Sequence, residues 1–481
     1  MYRALLSGVT VAVLCSQAFA SNPHYMPGGP ATTVGGLSNS KISSSGYYNP
    51  AATYINTNTV RFQVADVTGG LDLRGLGSFL QLGEDLGDSV DRFQDRLDEF
   101  QDDNNDSPDI NLVLDSVDDL ESTLNNGIQR LEEQFSFTPA LLASMPLLPL
   151  QLNTPWLDGP VSVGVSFLAG GRGSILHSNV EFNIDEDALT DSDAEIEPGD
   201  FISTASSLYM KTGRAWNFSL GYAQPVPFIN LGGAELVIGG RGNLIMANLH
   251  KQMYPLSELI SEATSDDGDV DAYIQMVQDD AMEGLSEGDL TMSFGLDAGL
   301  IVQWADAHVG LAVANINSPS VTYNTIGFDC ADLPTERERN GCYHADFFTS
   351  SGKIAATEEH VMAPRVTVDA GYQFLNNNIA IGGSVDVLPG TDLFGDNSQN
   401  VGAAVLLQPN AWYWPRARLG FSKDLEDMDP TTVALGLSFF NVLQIDQSVT
   451  ATFGDLFADE TVDQMNALRG FKTNIALNVS F

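Results

Sequence analysis

Residues 290–304, "LTMSFGLDAGLIVQW", place an apolar side chain at every second position: Leu290, Met292, Phe294, Leu296, Ala298, Leu300, Val302 and Trp304. A period of two is that of a β-strand with one apolar face. The run is longer than strands of soluble domains usually are, and it has the length that a tilted strand needs to cross a bilayer. Between the apolar positions stand Gly295, Asp297 and Gly299. A wall that is apolar outside and small or polar inside has this pattern.

The pattern recurs from residue 158 to the end. Val161/Val163/Val165/Phe167, Trp216/Phe218/Leu220/Tyr222, Val309/Leu311/Val313 and Val366/Val368/Ala370/Tyr372/Phe374 all alternate, as do Val401/Ala403/Val405/Leu407 and Val433/Leu435/Leu437/Phe439. Short connections such as "LNNN" (375–378) and "LPG" (388–390) alternate with long acidic ones. Short turns on one rim and long loops on the other are the asymmetry of outer-membrane barrels. The five Trp (156, 216, 304, 412 and 414) lie in or beside these strands, as interface girdles require. The last residues, "NIALNVSF", alternate up to Phe481. Bacterial outer-membrane barrels commonly end on such a strand, which implies that Phe481 is a signal read by the barrel assembly machinery.

Residues 1–20 are expected to be a signal peptide, with Arg3, an apolar stretch from Leu5 to Cys15, and Ala18-Phe19-Ala20 before the cut. Beyond it no run of 18 apolar residues offers a spanning helix. The formal net charge is −42, from 63 acidic and 21 basic residues. That excludes a nucleic-acid partner, which needs a cationic face, and reads as a solvated anionic surface. Once the signal is cut, Cys330 and Cys342 remain, bracketing "ADLPTERERNG"; in an exported protein they read as one disulfide closing a loop. A metal site recruiting His344 is the alternative, but it has no fourth ligand.

Two segments break the period of two. Phe79, Leu82, Leu86, Val90, Phe93, Leu97 and Phe100 recur at steps of three and four, and Ile110 to Phe135 repeat the pattern after "DDNNDSPD". These spacings predict an acidic helical hairpin over 79–136, packed on or under the barrel. Residues 84–133 hold 17 acids against three Arg, so anionic lipid would repel this face. A second helical insert is expected at about 255–287, with 56–78 as the first strand region and 137–481 as the rest of the barrel.

No nucleophile–base pattern, zinc motif or phosphate loop is present, so no catalytic residue, cofactor or metal ligand is assigned and the chain reads as a non-enzyme. The acidic stretches 183–200 and 265–273 fail as EF-hands: counting from Asp267, positions six and twelve are Ala272 and Gln278. They leave only weak divalent-cation binding. "GGRGS" (170–174) and its echo "GGRGN" (239–243) read as close-packed or kinked strand positions. Arg172 and Arg241 are the candidate lumen charges.

"GYYNPAAT" (46–53) precedes the first strand. A Gly/Ser-rich start, Asn49-Pro50-Ala51 and then a strand resemble the FadL-like long-chain fatty-acid transporter superfamily, whose amino-terminal segment folds back into the lumen as a plug. Asn before Pro favours the extended or turn geometry that such a segment needs. The order "YNPA", one strand, acidic "DRFQDRLDEF" (91–100), a β region and "RARLGFSKDLEDMDPTTVALGLSFF" (416–440) further resembles the exported conjugative-transfer TraF-like family, related to those barrels. The pilus-assembly protein of the same name is thioredoxin-like, and neither its C-x-x-C nor its βαβ pattern is present here.

The expected fold is therefore an all-β transmembrane barrel of about 14 antiparallel strands, with residues 21–55 as an N-terminal plug and with acidic helical inserts. The resemblance implies residence in a Gram-negative outer membrane, among lipid and lipopolysaccharide, and passive uptake of a small hydrophobic ligand. The alternative is a structural or interaction component of a cell-surface or conjugative-transfer apparatus that transports nothing.

Overall fold

A computed structural model of the chain describes residues 31–38, 45–55, 60–101, 110–145, 147–153, 157–182, 202–227, 232–264, 270–285, 289–411, 413–427, 429–452 and 467–480. The alternating runs form one antiparallel sheet. Its strands are β1 (Val60–Arg74), β2 (Ser136–Ser144), β3 (Leu150–Asn153), β4 (Pro160–Leu176) and β5 (Ser207–Pro225). They continue as β6 (Glu235–Pro255), β7 (Thr291–Gln303), β8 (Ala307–Ala314), β9 (Arg365–Phe374) and β10 (Ile379–Asp386). The last are β11 (Asn400–Leu407), β12 (Arg416–Asp424), β13 (Thr431–Phe439), β14 (Leu443–Ala451) and β15 (Leu468–Ser480).

Consecutive strands pair, except β2 with β3, and β15 returns to β1, with Phe62 opposite Val479, which closes the sheet. Both β2 and β3 lie between β1 and β4, so these 15 strands make 14 staves, one of them interrupted at 145–149. Closure removes every sheet edge, which is what lets strands live in lipid.

The exterior is apolar. Leu220, Met292, Phe294, Leu435 and Ile475 are among the exposed large hydrophobics. In water such a continuous apolar belt would drive association; around a closed barrel it is a lipid-facing surface. Trp304, Tyr372, Tyr413, Trp414 and Phe440 are exposed at or near one rim, where aromatic rings sit at a membrane interface. Trp156 and Trp412 lie outside the described residues. Inward positions are polar: Asp66, Asn217, Asp297, Asp369, Arg418, Asp446 and Asn474 are all buried. No helix among the described residues is long and apolar enough to cross a membrane. This is the fold of an outer-membrane β-barrel.

The two rims differ. Connections 304–306, 375–378, 408–415 and 440–442 are short and share the rim where β15 ends. Most of those at the opposite rim (75–135, 177–206, 256–290, 315–364, 387–399 and 452–467) are long, the exception being 425–430. The stretch "LPG", expected as a short turn, instead opens the long connection 387–399, because residues 390–398 form a small hairpin with Leu393 and Phe394 buried at its tip rather than join two strands directly.

β6 has 21 residues, about 70 Å at about 3.3 Å each, whereas the hydrocarbon layer is about 30 Å thick. Its upper end therefore stands clear of lipid, and so does that of β5. Helices dress these protruding ends. The helices α1 (Leu76–Gln101) and α2 (Ile110–Gln134) pair as a hairpin with Phe93 and Val117 buried. Leu120, Leu124, Ile128 and Leu131 of α2 pack on Ile175 at the end of β4 and on Val180 and Ile260. Two further helices, α3 (Leu256–Thr264) and α4 (Val270–Gly284), follow β6.

A helix not expected from the sequence, α5 (Glu336–Ser350), carries Cys342, which is bonded to Cys330. Thr335 and Glu338 close a reciprocal capping box at its start. α5 sits on Met253 at the top of β6, where any side chain at Gly341 would meet the Met253 carbonyl at 2.4 Å.

Candidate functional site

The amino-terminal residues 31–38 and 45–55 lie inside the wall. Asn49, extended as a residue before proline must be, caps the short 3-10 turn Pro50–Thr53: its Oδ1 accepts the Ala51 N–H at 3.0 Å. Pro50 takes the first helical position, where its missing N–H costs nothing. Asn49 Nδ2 also donates to the carbonyls of Leu300 (3.3 Å) and Leu311 (3.5 Å) on β7 and β8. Ala51 and Ala52 are buried against Val237 and Ile301. The wall is cut to receive this turn. A Cβ on Gly239 would stand 2.4 Å from the Ala51 nitrogen, and one on Gly299 2.0 Å from Asn49 Oδ1.

Three buried carboxylates of the wall hold the segment. Asp297 on β7 pairs with Arg241 on β6 at 2.7 Å and accepts from Asn243 (2.7 Å) and the Asn315 N–H (2.9 Å). The same guanidinium donates to the carbonyls of Tyr47 (2.6 Å) and Gly46 (3.4 Å) and lies over the Tyr47 ring at 5.7 Å. Asp369 on β9 accepts both the N–H and the hydroxyl of Ser38 at 3.1 Å, and it faces His308 Nε2 at 3.0 Å. Asp446 on β14 is clasped by Arg418 (2.9 and 3.1 Å) and receives the Thr33 hydroxyl. Buried charges persist only when paired and hydrogen-bonded, and here part of that pairing comes from the inner segment. Residues 45–55 dock on β5–β7, whereas 31–34 dock on β11–β14, across the barrel.

A second insertion enters from the long-loop rim. Within connection 387–399, Gly390–Thr391 pairs with Asn397–Ser398, and the tip puts Leu393 and Phe394 (each 3 % exposed) into the lumen. They pack with Ala140, Leu168, Ala215, Ile245 and Ala247 of the wall. Asp392 Oδ1 accepts the N–H groups of Phe394 (2.8 Å) and Asp396 (2.7 Å), closing the turn. Burial, and after it the neighbouring Asp396, push the Asp392 carboxyl up to about 7. Arg172 on β4 pairs with Asp396 at 2.6 Å.

Two cavities lie along the lumen. A chamber of about 1170 Å³, counted with its mouth, is lined by Val34, Tyr48, Leu142, Leu168, Arg365 and Lys472 among others. A vestibule of about 820 Å³, likewise counted with its mouth, lies toward the long loops and includes Asp72, Asp392, Asp396, Asp424 and Lys472. Asn400, Thr432 and Lys472 line both. A third, smaller space touches Tyr47, Arg61, Pro149 and Gln151 beside the interrupted stave.

The structure thus brings Asn49, Pro50, Ala51 and Arg241 together in the lumen. Arg172 lies at the other insertion, and Cys330–Cys342 sits at the long-loop rim, away from both. His344, the candidate metal ligand, places Nδ1 2.8 Å from the Ser207 hydroxyl. Among the described residues no cluster of His, Cys, Asp or Glu is placed to hold a metal ion. Phe481, residues 1–30 and the acidic loop 183–200 lie outside the described residues. Sequence reasoning singled out none of Thr33, Ser38, Asp369 and Asp446 as site residues, nor the tip 392–396. For Asp369 and Asp446 the available signal was an acid at an inward position of a strand, as in Asp369 between Val368 and Ala370.

Among functionally curated proteins, none matches this chain. Among solved structures it is similar to the toluene transporter TbuX of Ralstonia pickettii, at 11% identity and a TM-score of 0.43, over 95% of this chain and 99% of that one. It is also similar to the toluene transporter TodX of P. putida, at 11% identity and a TM-score of 0.40, over 94% and 98%. A FadL homologue of Pseudomonas aeruginosa matches at 11% identity and a TM-score of 0.33, over 96% and 100%. The family described as "F plasmid transfer operon, TraF, protein" matches residues 46–386, most of the length, and the chain belongs to that family.

Proposed function

We propose that this barrel sits in the outer membrane and passes small hydrophobic molecules passively, with residues 21–55 as its plug. The observation that carries the reading is the chamber. It is enclosed by a lipid-facing wall, floored by an amino-terminal segment held through side-chain clasps, and lined in part by the apolar side chains of Val34, Leu142 and Leu168. A polar lumen built only for water or ions has no use for such a wall. Solute enters at the long-loop rim, passes the vestibule and rests in the chamber. It leaves where 145–149 break the stave, beside the small space at Tyr47 and Pro149, with Met145 and Leu147 exposed there. The plug residues hold structure and perform no chemistry.

A second reading is a docking component of a surface apparatus. It is favoured by the acidic hairpin α1–α2, whose 26- and 25-residue helices extend beyond their packed base. Uptake separates the two. Cells producing the chain are expected to accumulate radiolabelled naphthalene several-fold faster, at limiting concentration, than cells without it. Equal rates with folded protein in the outer membrane would leave the docking component.

A further inference from the structure

We infer that the hairpin 390–398 is a removable outer stopper, and that its Leu393–Phe394 tip occupies an apolar seat that a compact hydrophobic solute takes in its place. The inference rests on the lumen being a route for such molecules, and it goes beyond that reading by naming a second gate and the residues of its seat.

The first observation is chemical. Inward positions of this wall are mostly Asp, Asn, Ser, Thr and Arg, yet Ala140, Leu168, Ala215, Ile245 and Ala247 form a contiguous apolar patch across β2, β4, β5 and β6. An apolar patch in an otherwise polar lumen is poorly solvated unless something apolar covers it. In this structure the cover is the hairpin tip together with Val321, Tyr323 and Met362 of connection 315–364. The hairpin arises between β10 and β11, on the far side of the barrel, so it bars the lumen from one wall to the other.

The second observation is the echoed motif. In "GGRGN", Gly239 leaves room for Pro50 and Ala51, and Arg241 grips the segment they belong to. In "GGRGS", an added Cβ on Gly170 would first meet the Pro139 carbonyl of β2 at 2.5 Å and then the Phe394 ring at 3.1 Å, and Arg172 grips Asp396. The wall thus anchors both insertions alike, through an arginine two residues after a glycine that stands against the inserted segment.

The third observation is how the hairpin is held. Its tip is short. Its polar anchors to the rest of the molecule include Arg172 and Thr138 on Asp396, the latter at 3.1 Å, and the Tyr323 hydroxyl on the Leu393 carbonyl. Its two strands have two residues each. A hairpin of that size has no stability of its own, so seating depends on the patch. A solute that fills the seat competes with the tip and shifts the hairpin outward, by as much as its affinity for the vacated seat allows.

The test is thiol labelling of Leu393→Cys in outer-membrane vesicles with a membrane-impermeant maleimide, using the parent as blank. With no solute, labelling is expected to be slow. Saturating naphthalene is expected to raise the rate at least about fivefold, and Arg172→Ala in the same background to raise the solute-free rate about tenfold. Hydrogen–deuterium exchange of 390–398 in the parent gives the same readout without a substitution. A labelling rate indifferent to naphthalene, in protein that takes naphthalene up, overturns the stopper and leaves the transport reading standing. Faster labelling without any uptake supports the seat and removes the transport reading.

Discussion

Arg241→Ala is expected to free the inner segment and turn a quiet barrel into a conducting one. The guanidinium joins the Asp297 carboxylate to the carbonyls of Gly46 and Tyr47 in one buried cluster. Removing one partner of a buried pair costs roughly 3–5 kcal/mol. The lower end applies here, because Asp297 keeps Asn243 and the Asn315 N–H. The loss falls on the segment rather than on the wall. Arg241 and Asp297 face each other across a ladder that the backbone maintains without them, whereas residues 46–47 lose their anchor. Arg241→Lys keeps the charge but loses the planar fork, so it should fall between the two. In planar bilayers the parent is expected to stay closed and Arg241→Ala to open, with both still migrating anomalously when unboiled on a detergent gel. A silent Arg241→Ala barrel with that gel behaviour intact would show that the clasp does not hold the lumen shut.

Gly299→Val attacks the same contact from the other side. Its Cβ would lie 2.0 Å from Asn49 Oδ1 and 3.0 Å from the Ala51 nitrogen, so the turn must move. Overpacking a fitted contact costs about 1–3 kcal/mol. Displacement also strips Asn49 of its bonds to the Leu300 and Leu311 carbonyls. Hydrogen exchange across 45–55 is expected to quicken about tenfold or more, in line with a loss of that size. Gly87→Ala is the matched control. Nothing lies within 4 Å of its added Cβ, and the change favours the helix by roughly 0.5–1 kcal/mol. Exchange in 45–55 that is the same in both variants would mean that the Asn-Pro-Ala turn is not seated by the glycine wall.

The wall was legible because its signal is local. Each stave alternates over enough residues to reveal a period of two, and Asp297 already stood out among Phe294, Leu296 and Leu300 as a polar inward position. The Asn-Pro-Ala turn was legible through resemblance, since three residues carry too little physics to announce a plug. The clasps were not legible. Ser38 meets Asp369 across 331 residues and Thr33 meets Asp446 across 413, and no local pattern encodes such pairings. The hairpin tip was hidden because "LPG" followed by polar residues looks like an ordinary turn, and only the closed barrel shows which way it folds. Helix α5 was within reach. Thr335 and Glu338 stand at capping-box spacing, but the flanking cysteines drew the stretch toward a loop. The interruption of the second stave at 145–149 left only a run of Leu and Pro, which does not distinguish a broken strand from a loop.

The most direct test of the lumen as the route is photo-crosslinking of an azido-naphthalene to the barrel in membranes, followed by peptide mapping. The account predicts adducts on chamber-lining residues such as Val34, Leu142 and Leu168, and excess unlabelled naphthalene should compete them away. Adducts confined to the lipid-facing belt, on residues such as Met292 and Phe294, would contradict it.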